Sequence, residues 1–211
     1  MARQKNRRVS QLYPNKYYLF ICEDEKSMRY YLNGLRPYLK SGIKLEAKHS
    51  NRGQSAEQVF RCAMDSYKEI KERKDAYPKG FKVVACFDKD NNPIEVVKGL
   101  MQKQKNNFSI SYNNPCYEFW LFLHFVNASP VFSSSDECAH KCLQEFSRKY
   151  GSSWKSVDKL KQCKHIFEVV KNELFQALEN AKKQNFDNYE ETFTNTHILI
   201  EEIVDLEKIR E

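Results

Sequence analysis

The sequence predicts an α/β fold: a largely parallel, four-stranded sheet with helices on both faces, followed by a C-terminal helical annex. Three observations carry this. Short apolar runs of strand length alternate with segments whose apolar residues recur at helical spacing, the pattern of a parallel sheet built by crossover helices. Two of those runs end in acids, at Cys22-Glu23-Asp24-Glu25-Lys26 and at Phe87-Asp88-Lys89-Asp90. After Pro130 the strand-like runs stop and the pattern stays helical.

Residues 1–15 hold Arg3, Lys5, Arg7 and Arg8 with no acid and read as a basic arm. Residues 16–22 are the first strand, with the run Tyr17-Tyr18-Leu19-Phe20-Ile21-Cys22. Asp24 to Leu39 reads as a helix, because Met28, Tyr31, Leu32, Leu35 and Leu39 fall on one face. Ser41-Gly42 stops it. Ile43 to His49 alternates apolar and polar residues, as a half-buried strand does. Ser55 is a candidate N-cap for a helix running to Lys74, and Lys82 to Phe87 is the third strand. Asn91-Asn92-Pro93 opens a helix to about Asn106, and Phe108 to Ser111 is the fourth strand. Asn114-Pro115 reads as an N-cap with proline at the first helical position, opening an apolar helix from Cys116 to Val126. Ser133 to Asp136 starts a helix to residue 150, and helices follow over 156–184 and 189–209. The organisation is therefore 1–15 basic arm, 16–130 α/β domain and 131–211 helical extension.

The 211 residues suffice for one large domain, and 14 Phe, 12 Tyr and 2 Trp supply a core. Six Gly and six Pro are too few for a loop-rich chain. No apolar run approaches the ~18 residues of a membrane span. The basic start lacks the apolar centre of a secretory signal. Seven cysteines at irregular spacings, two of them inside predicted strands, are expected to be reduced thiols of a cytoplasmic protein. The net charge of +7 is uneven, with the basic arm and a Lys-rich stretch over 148–171 set against an acidic stretch over 187–211. Basic patches beside an acidic site suit a polyanion such as nucleic acid, though a charged surface serves solubility equally well.

The acids at the two strand ends carry the chemical expectation. Ligands of open α/β sheets bind at the carboxyl ends of strands. Asp88 and Asp90 are two apart and so share a face if the strand continues through them. Glu23, Asp88 and Asp90 then meet at one edge if their strands are neighbours, and carboxylates that close repel unless a cation or proton sits among them. Mg²⁺ prefers hard oxygen ligands and keeps waters for substrate phosphates, so the expected activity is metal-dependent chemistry on phosphodiesters. Glu23 is a ligand, or a general base if its environment lifts its pKa. The plainer alternative is that these acids are turn and cap residues, since Asp is common at strand ends. Glu118 lies in the first turn of an apolar helix and needs a partner, either the metal cluster or an arginine. His124 reads as a core histidine. Cys138, His140, Cys142, Cys163 and His165 match no strong zinc spacing, and buried thiols are the expected reading. No phosphate-cradling glycine loop is present.

The segments Leu19-Phe20-Ile21-Cys22-Glu23-Asp24-Glu25-Lys26-Ser27, Tyr31, Cys86-Phe87-Asp88-Lys89-Asp90 and Asn114-Pro115-Cys116-Tyr117-Glu118-Phe119-Trp120 resemble the RloB-like family, with a weaker match at Thr196-His197-Ile198-Leu199-Ile200. Such families are similar to the TOPRIM superfamily, a Rossmann-like fold shared by topoisomerases, bacterial primases and OLD nucleases. The resemblance implies a Mg²⁺-dependent nuclease site, with Mn²⁺ able to substitute. Glu23, Asp88 and Asp90 would take the metal and base roles in it, with Glu118 in support. Lys26 and Lys89 are the candidate phosphate contacts. It further implies a bacterial antiphage or abortive-infection setting, a DNA or RNA substrate with tRNA among the candidates, and a separately encoded ABC- or AAA-type, OLD-like ATPase as partner. Homo-oligomerisation stays open. The sequence departs from the family pattern Cys-Glu-Gly-Glu-Lys-Thr-Glu, with Asp24 for the Gly and Met28 for the final Glu. Those departures motivate an alternative, a catalytically degraded sensor or adaptor subunit that docks on the ATPase. Topoisomerase- or primase-like chemistry is a third and weaker reading.

Overall fold

The computed structural model describes residues 16–73, 76–90, 92–126, 130–184 and 190–210. The basic arm expected over 1–15 lies outside the described residues. The four parallel strands stand where the sequence places them: β1 (Lys16–Cys22), β2 (Ile43–His49), β3 (Phe81–Asp88) and β4 (Phe108–Asn114). A fifth, β5 (Phe193–Thr194), pairs antiparallel with the end of β4 and gives the order β2-β1-β3-β4-β5. Its two residues are too few for any alternation to register, so the sequence folds them into an expected helix over 189–209.

The strands explain their own positions. In β1 every residue but Lys16 is buried, as befits a central strand covered on both faces. In β2 Leu45 and Ala47 are buried while Lys44 and Lys48 are exposed, the pattern of an edge strand. Alternate residues feed two cores. Tyr17, Leu19, Ile21, Val83, Ala85 and Phe87 pack under α2 (Ala56–Glu72) and α3 (Ile94–Met101). Tyr18, Phe20, Cys22, Val84 and Cys86 pack on the opposite face. That face is covered by α1 (Ser27–Gly34) and α4 (Glu118–Phe122), and by the C-terminal helices beginning with α5 (Ser135–Tyr150). The helix starts at Ser55 and Ser134 are as expected: each side chain accepts an amide of its first turn, and Ser55 with Gln58 forms a capping box.

The helix expected over Asp24–Leu39 is only α1 with a separate 3₁₀ turn at Arg36–Tyr38, and the one expected to reach about Asn106 ends at Met101. Three more helices differ further from expectation. The 156–184 segment is α6 (Val157–Lys161), α7 (Ile166–Val170), a 3₁₀ turn (Lys171–Glu173) and α8 (Leu174–Lys182). Leu160, Ile166 and Phe167 are all buried. A straight helix would put Ile166 about 120° from Leu160, so the break re-phases the chain. The last segment is β5, then α9 (Thr196–Ile203), an extended Val204 bridged to Leu39, and α10 (Glu207–Arg210). Asn114-Pro115 does not open a helix. β4 runs through Asn114, the Asn114–Pro115 peptide is cis, and α4 begins only after Tyr117. Asn113 is held in the strand because its side chain donates to Asp88 Oδ1 at 3.0 Å. No helix among the described residues is long and apolar enough to cross a membrane.

Candidate active site

The sheet order reverses direction between β1 and β3, since β2 lies to one side of β1 and β3, β4 and β5 to the other. Such a switch point leaves a crevice at the carboxyl ends of the two strands, where α/β sheets bind ligands. Glu23 follows β1 and Asp88 ends β3. The Glu23 amide donates to the Cys86 carbonyl at 2.9 Å, prolonging the strand pairing by one residue. The Glu23 carboxylate accepts the Asp88 amide at 2.9 Å.

Asp88 is held from two more sides. Its Oδ1 accepts from Asn113 Nδ2, and its Oδ2 accepts the Tyr117 amide at 2.9 Å. Asp90 reaches the same cavity by a different route from the one its spacing suggests. It is not in the strand: its φ is 30°, so the chain turns sharply there. Its amide donates to the Pro115 carbonyl at 3.1 Å, and its carboxylate accepts the Ser135 hydroxyl. Asn92 steadies the turn by donating to the Asp88 carbonyl at 2.9 Å while accepting the Ala56 amide.

Glu118, at the start of α4, is 2% exposed and faces the same space. Its partner is a lysine rather than an arginine: Lys161 Nζ stands 3.8 Å from Glu118 Oε1. The cavity so formed is about 170 Å³ and is lined by Glu23, Asp24, Asp88, Asp90, Glu118 and Lys161, among others. It opens onto a second cleft over the start of α5, where Ser135 and His140 stand. Lys26 is exposed at the mouth, beside Asp24 and Gln54. Lys89 is not among the lining residues, and its ammonium lies 3.4 Å from the Asp90 carbonyl.

Burial and crowding raise the acids. Burial pushes the Glu23 carboxyl up to about 7, with Asp90 and Asp24 adding repulsion against the opposing Asp88 amide. Burial, then the charges of Glu23, Glu118 and Asp90, lifts Asp88 well above the carboxylate range. Burial also raises Glu118, with Lys161 pulling the other way. The Lys161 ammonium is held above its ordinary value chiefly by Glu118. Five acids facing one cavity with Lys161 make a place where positive charge is stabilised.

The donor chemistry fits Mg²⁺ in kind, since the acids offer hard carboxylate oxygens. The Cys22 and Cys86 thiols beneath them are buried. Among the described residues no group of three His, Cys, Asp or Glu side chains is arranged to hold a metal ion by itself. Mg²⁺ is usually held by one or two carboxylates plus waters and phosphate oxygens, so a closed protein cage is not its requirement.

His124 is a core residue, as its position suggests. It is fully buried, with Nδ1–H donating to the Trp120 carbonyl and Nε2 accepting from the Tyr31 hydroxyl, each at 3.1 Å. Cys138 and Cys142 are buried on α5 while His140 is exposed.

Sequence reasoning missed Lys161, Asn113 and Asn92 as parts of the site. Lys161 sits in an ordinary Lys-rich stretch, and no local signal sends it 43 residues back in sequence to Glu118. Residues 18–203 match the model of the RloB-like protein family, so the chain belongs to that family. No curated protein and no solved structure matches it.

Proposed function

We propose that this member of the RloB-like family is a Mg²⁺-dependent, TOPRIM-type nuclease. In this reading it is the effector of a two-component bacterial antiphage system, working with a separately encoded OLD-like ATPase. The observation that carries the reading is the convergence of Glu23, Asp88, Asp90 and Glu118 on one cavity at the β1/β3 switch point. A fold that only needed turn and cap residues there would gain nothing from four acids facing each other.

Glu23, Asp88 and Asp90 would hold the metal, one or two of them directly and the rest through its waters. Mg²⁺, when bound, supplies charge neutralisation for the phosphodiester and activation of its attacking water. Glu23, with its carboxyl pushed up to about 7, is matched to taking a proton near neutral pH. Asn113 and the Tyr117 amide keep Asp88 oriented, and Ser135 does the same for Asp90. Lys161 offers a cation from the C-terminal helices to the phosphate, and Lys26 offers another at the mouth. Mn²⁺ would serve in place of Mg²⁺.

The adaptor reading is favoured by two residues. Met28, where the family pattern has Glu, lines the cavity without an oxygen donor, and Asp24 occupies the turn the pattern leaves to Gly. Asp24 Oδ2 is engaged, however, by the Ser27 amide at 3.0 Å, so it braces the turn rather than blocking the cavity. One experiment separates the two readings. The purified chain is incubated with plasmid DNA and with total tRNA in Mg²⁺ or Mn²⁺, alone and with a co-encoded ATPase. Metal-dependent cutting supports the nuclease and identifies the polymer. Stable complex formation without cutting supports the adaptor.

A further inference from the structure

Asn113 touches Asp88 with one end of its side-chain amide, and two threonines from the C-terminal part of the chain hold the other end. Asn113 Oδ1 accepts the Thr194 hydroxyl at 2.7 Å and the Thr196 hydroxyl at 3.1 Å. Its Nδ2 donates to Asp88 Oδ1 at 3.0 Å. Asn113, Thr194 and Thr196 are fully buried, so bulk water does not compete for these bonds.

The donors of this cluster all point toward Asp88. Thr194 Oγ1 accepts the Thr196 amide at 3.2 Å and gives its own hydrogen to Asn113. The Thr196 hydrogen also goes to Asn113, so Ser111 is the donor in the 3.0 Å contact between the Ser111 and Thr196 hydroxyls. Two hydroxyl donors on one carbonyl oxygen settle which end of the Asn113 amide faces Asp88. Turned over, the amide would set its oxygen against a carboxylate oxygen and leave both threonine hydrogens without that acceptor. Donors aligned in one direction polarise one another and strengthen the last bond, which ends on the acid.

The backbone is built to keep the threonines in place. Thr194 is one of the two residues of β5 and lies directly opposite Asn113 across the antiparallel pair. Its amide donates to Gln184 Oε1 at 2.8 Å. Asn195, between the threonines, is tied to β4 at both ends of its side chain. Its Oδ1 accepts the Tyr112 amide at 2.8 Å, and its Nδ2 donates to the Ile110 carbonyl at 2.9 Å. Thr196 then opens α9. We propose that Thr194 and Thr196 are positioning residues of the acidic site, which orient Asp88 for the metal by holding the Asn113 amide. This rests on the metal-dependent reading above, and it makes β5 and the start of α9 part of the site although neither threonine lines the cavity.

The test is calorimetric titration of Mn²⁺ into the metal-free, full-length protein. The proteins are the wild type, Thr196→Val, Thr196→Ser, Thr194→Val, Asn113→Ala and Asn113→Ala/Thr196→Val, with circular dichroism confirming that each is folded. Thr196→Val is expected to bind Mn²⁺ about three- to tenfold more weakly than wild type, the worth of one neutral hydrogen bond. Thr196→Ser, which keeps the hydroxyl, is expected to bind as wild type does. Thr194→Val is expected to behave as Thr196→Val does, and stands in for it should that variant fail to fold. In the Asn113→Ala background the valine is expected to weaken binding no further, because the threonine acts only through the asparagine. Wild-type affinity in both valine variants overturns the positioning role while the metal reading stands. So does an equal loss from Thr196→Val with and without Asn113, which would mark the threonine as merely structural. No Mn²⁺ binding by the wild type overturns the metal reading and the positioning role with it.

Discussion

The Glu23 carboxylate accepts the backbone amide of Asp88 at 2.9 Å, so the acid at the end of β1 is oriented by the strand that carries the next one. Asp88 in turn is fixed by Asn113 and by the Tyr117 amide. The site is therefore pre-organised by the protein, and each acid depends on a neighbouring element for its orientation.

Removing the charge at either position is expected to remove cleavage and keep the fold. Glu23→Gln and Asp88→Asn retain shape and some hydrogen bonding, so far-ultraviolet circular dichroism should be unchanged. Nuclease rate should fall by on the order of 10²–10⁴. Either variant cutting at the wild-type rate would remove that residue from the chemistry.

Stability without metal should fall as pH rises from about 4.5 to about 7, the interval between the ordinary and raised values of Glu23. The sign follows from proton count. In that window the folded chain holds a proton that the unfolded chain releases, so stability is greatest below the window and is lost through it. Asp88, raised by burial and by its neighbours, pushes the same way. The upper bound for Glu23 alone is about 3 kcal/mol. Thermal melts in a chelator at pH 5.5 and pH 8 measure it. Glu23→Gln should flatten the difference, and Mg²⁺ should restore wild-type stability at pH 8.

Lys161→Met should destabilise the metal-free protein by about 1–2 kcal/mol at pH 8, because it leaves the buried Glu118 without its cation. The figure is modest because Lys161 is 43% exposed and 3.8 Å from its partner. Adding Glu118→Gln should return most of the loss. A double variant as unstable as Lys161→Met alone would mean that Lys161 acts through something other than Glu118.

His124→Phe should cost about 1–3 kcal/mol by stranding the Tyr31 hydroxyl and the Trp120 carbonyl. It should leave cleavage per folded molecule unchanged. Burial drives the His124 ring down to about 4, so it stays neutral above pH 5 and contributes no titration near neutrality. Chemical unfolding together with a cleavage assay reads both.

How much the sequence disclosed depended on the range of each signal. The runs ending at Cys22 and Phe87 and the alternation in Ile43–His49 are local, and the four parallel strands follow from them. The acids Glu23, Asp88 and Asp90 were legible for the same reason, since they punctuate those runs. Asp90 was placed for the wrong geometric reason, because a turn at positive φ and not an extended strand brings it in. Three features stayed hidden because they are long-range. β5 exists only through β4, the 156–184 break is set by which side chains the neighbouring helices α1, α4 and α5 can bury, and Lys161 reaches Glu118 only after α6 folds back. Asn114-Pro115 misled because its sequence is that of a helix start, while the Asn113 contact to Asp88 keeps the strand going.

Calorimetric titration of Mn²⁺ into the metal-free protein, beside the Asp88→Asn/Asp90→Asn double variant, tests the central claim most directly. The expected result is saturable binding by the wild type that the folded double variant loses, with Mg²⁺ competing for the site. Absence of Mn²⁺ binding by the wild type, or equal binding by the double variant, would contradict a metal site at the β1/β3 switch point.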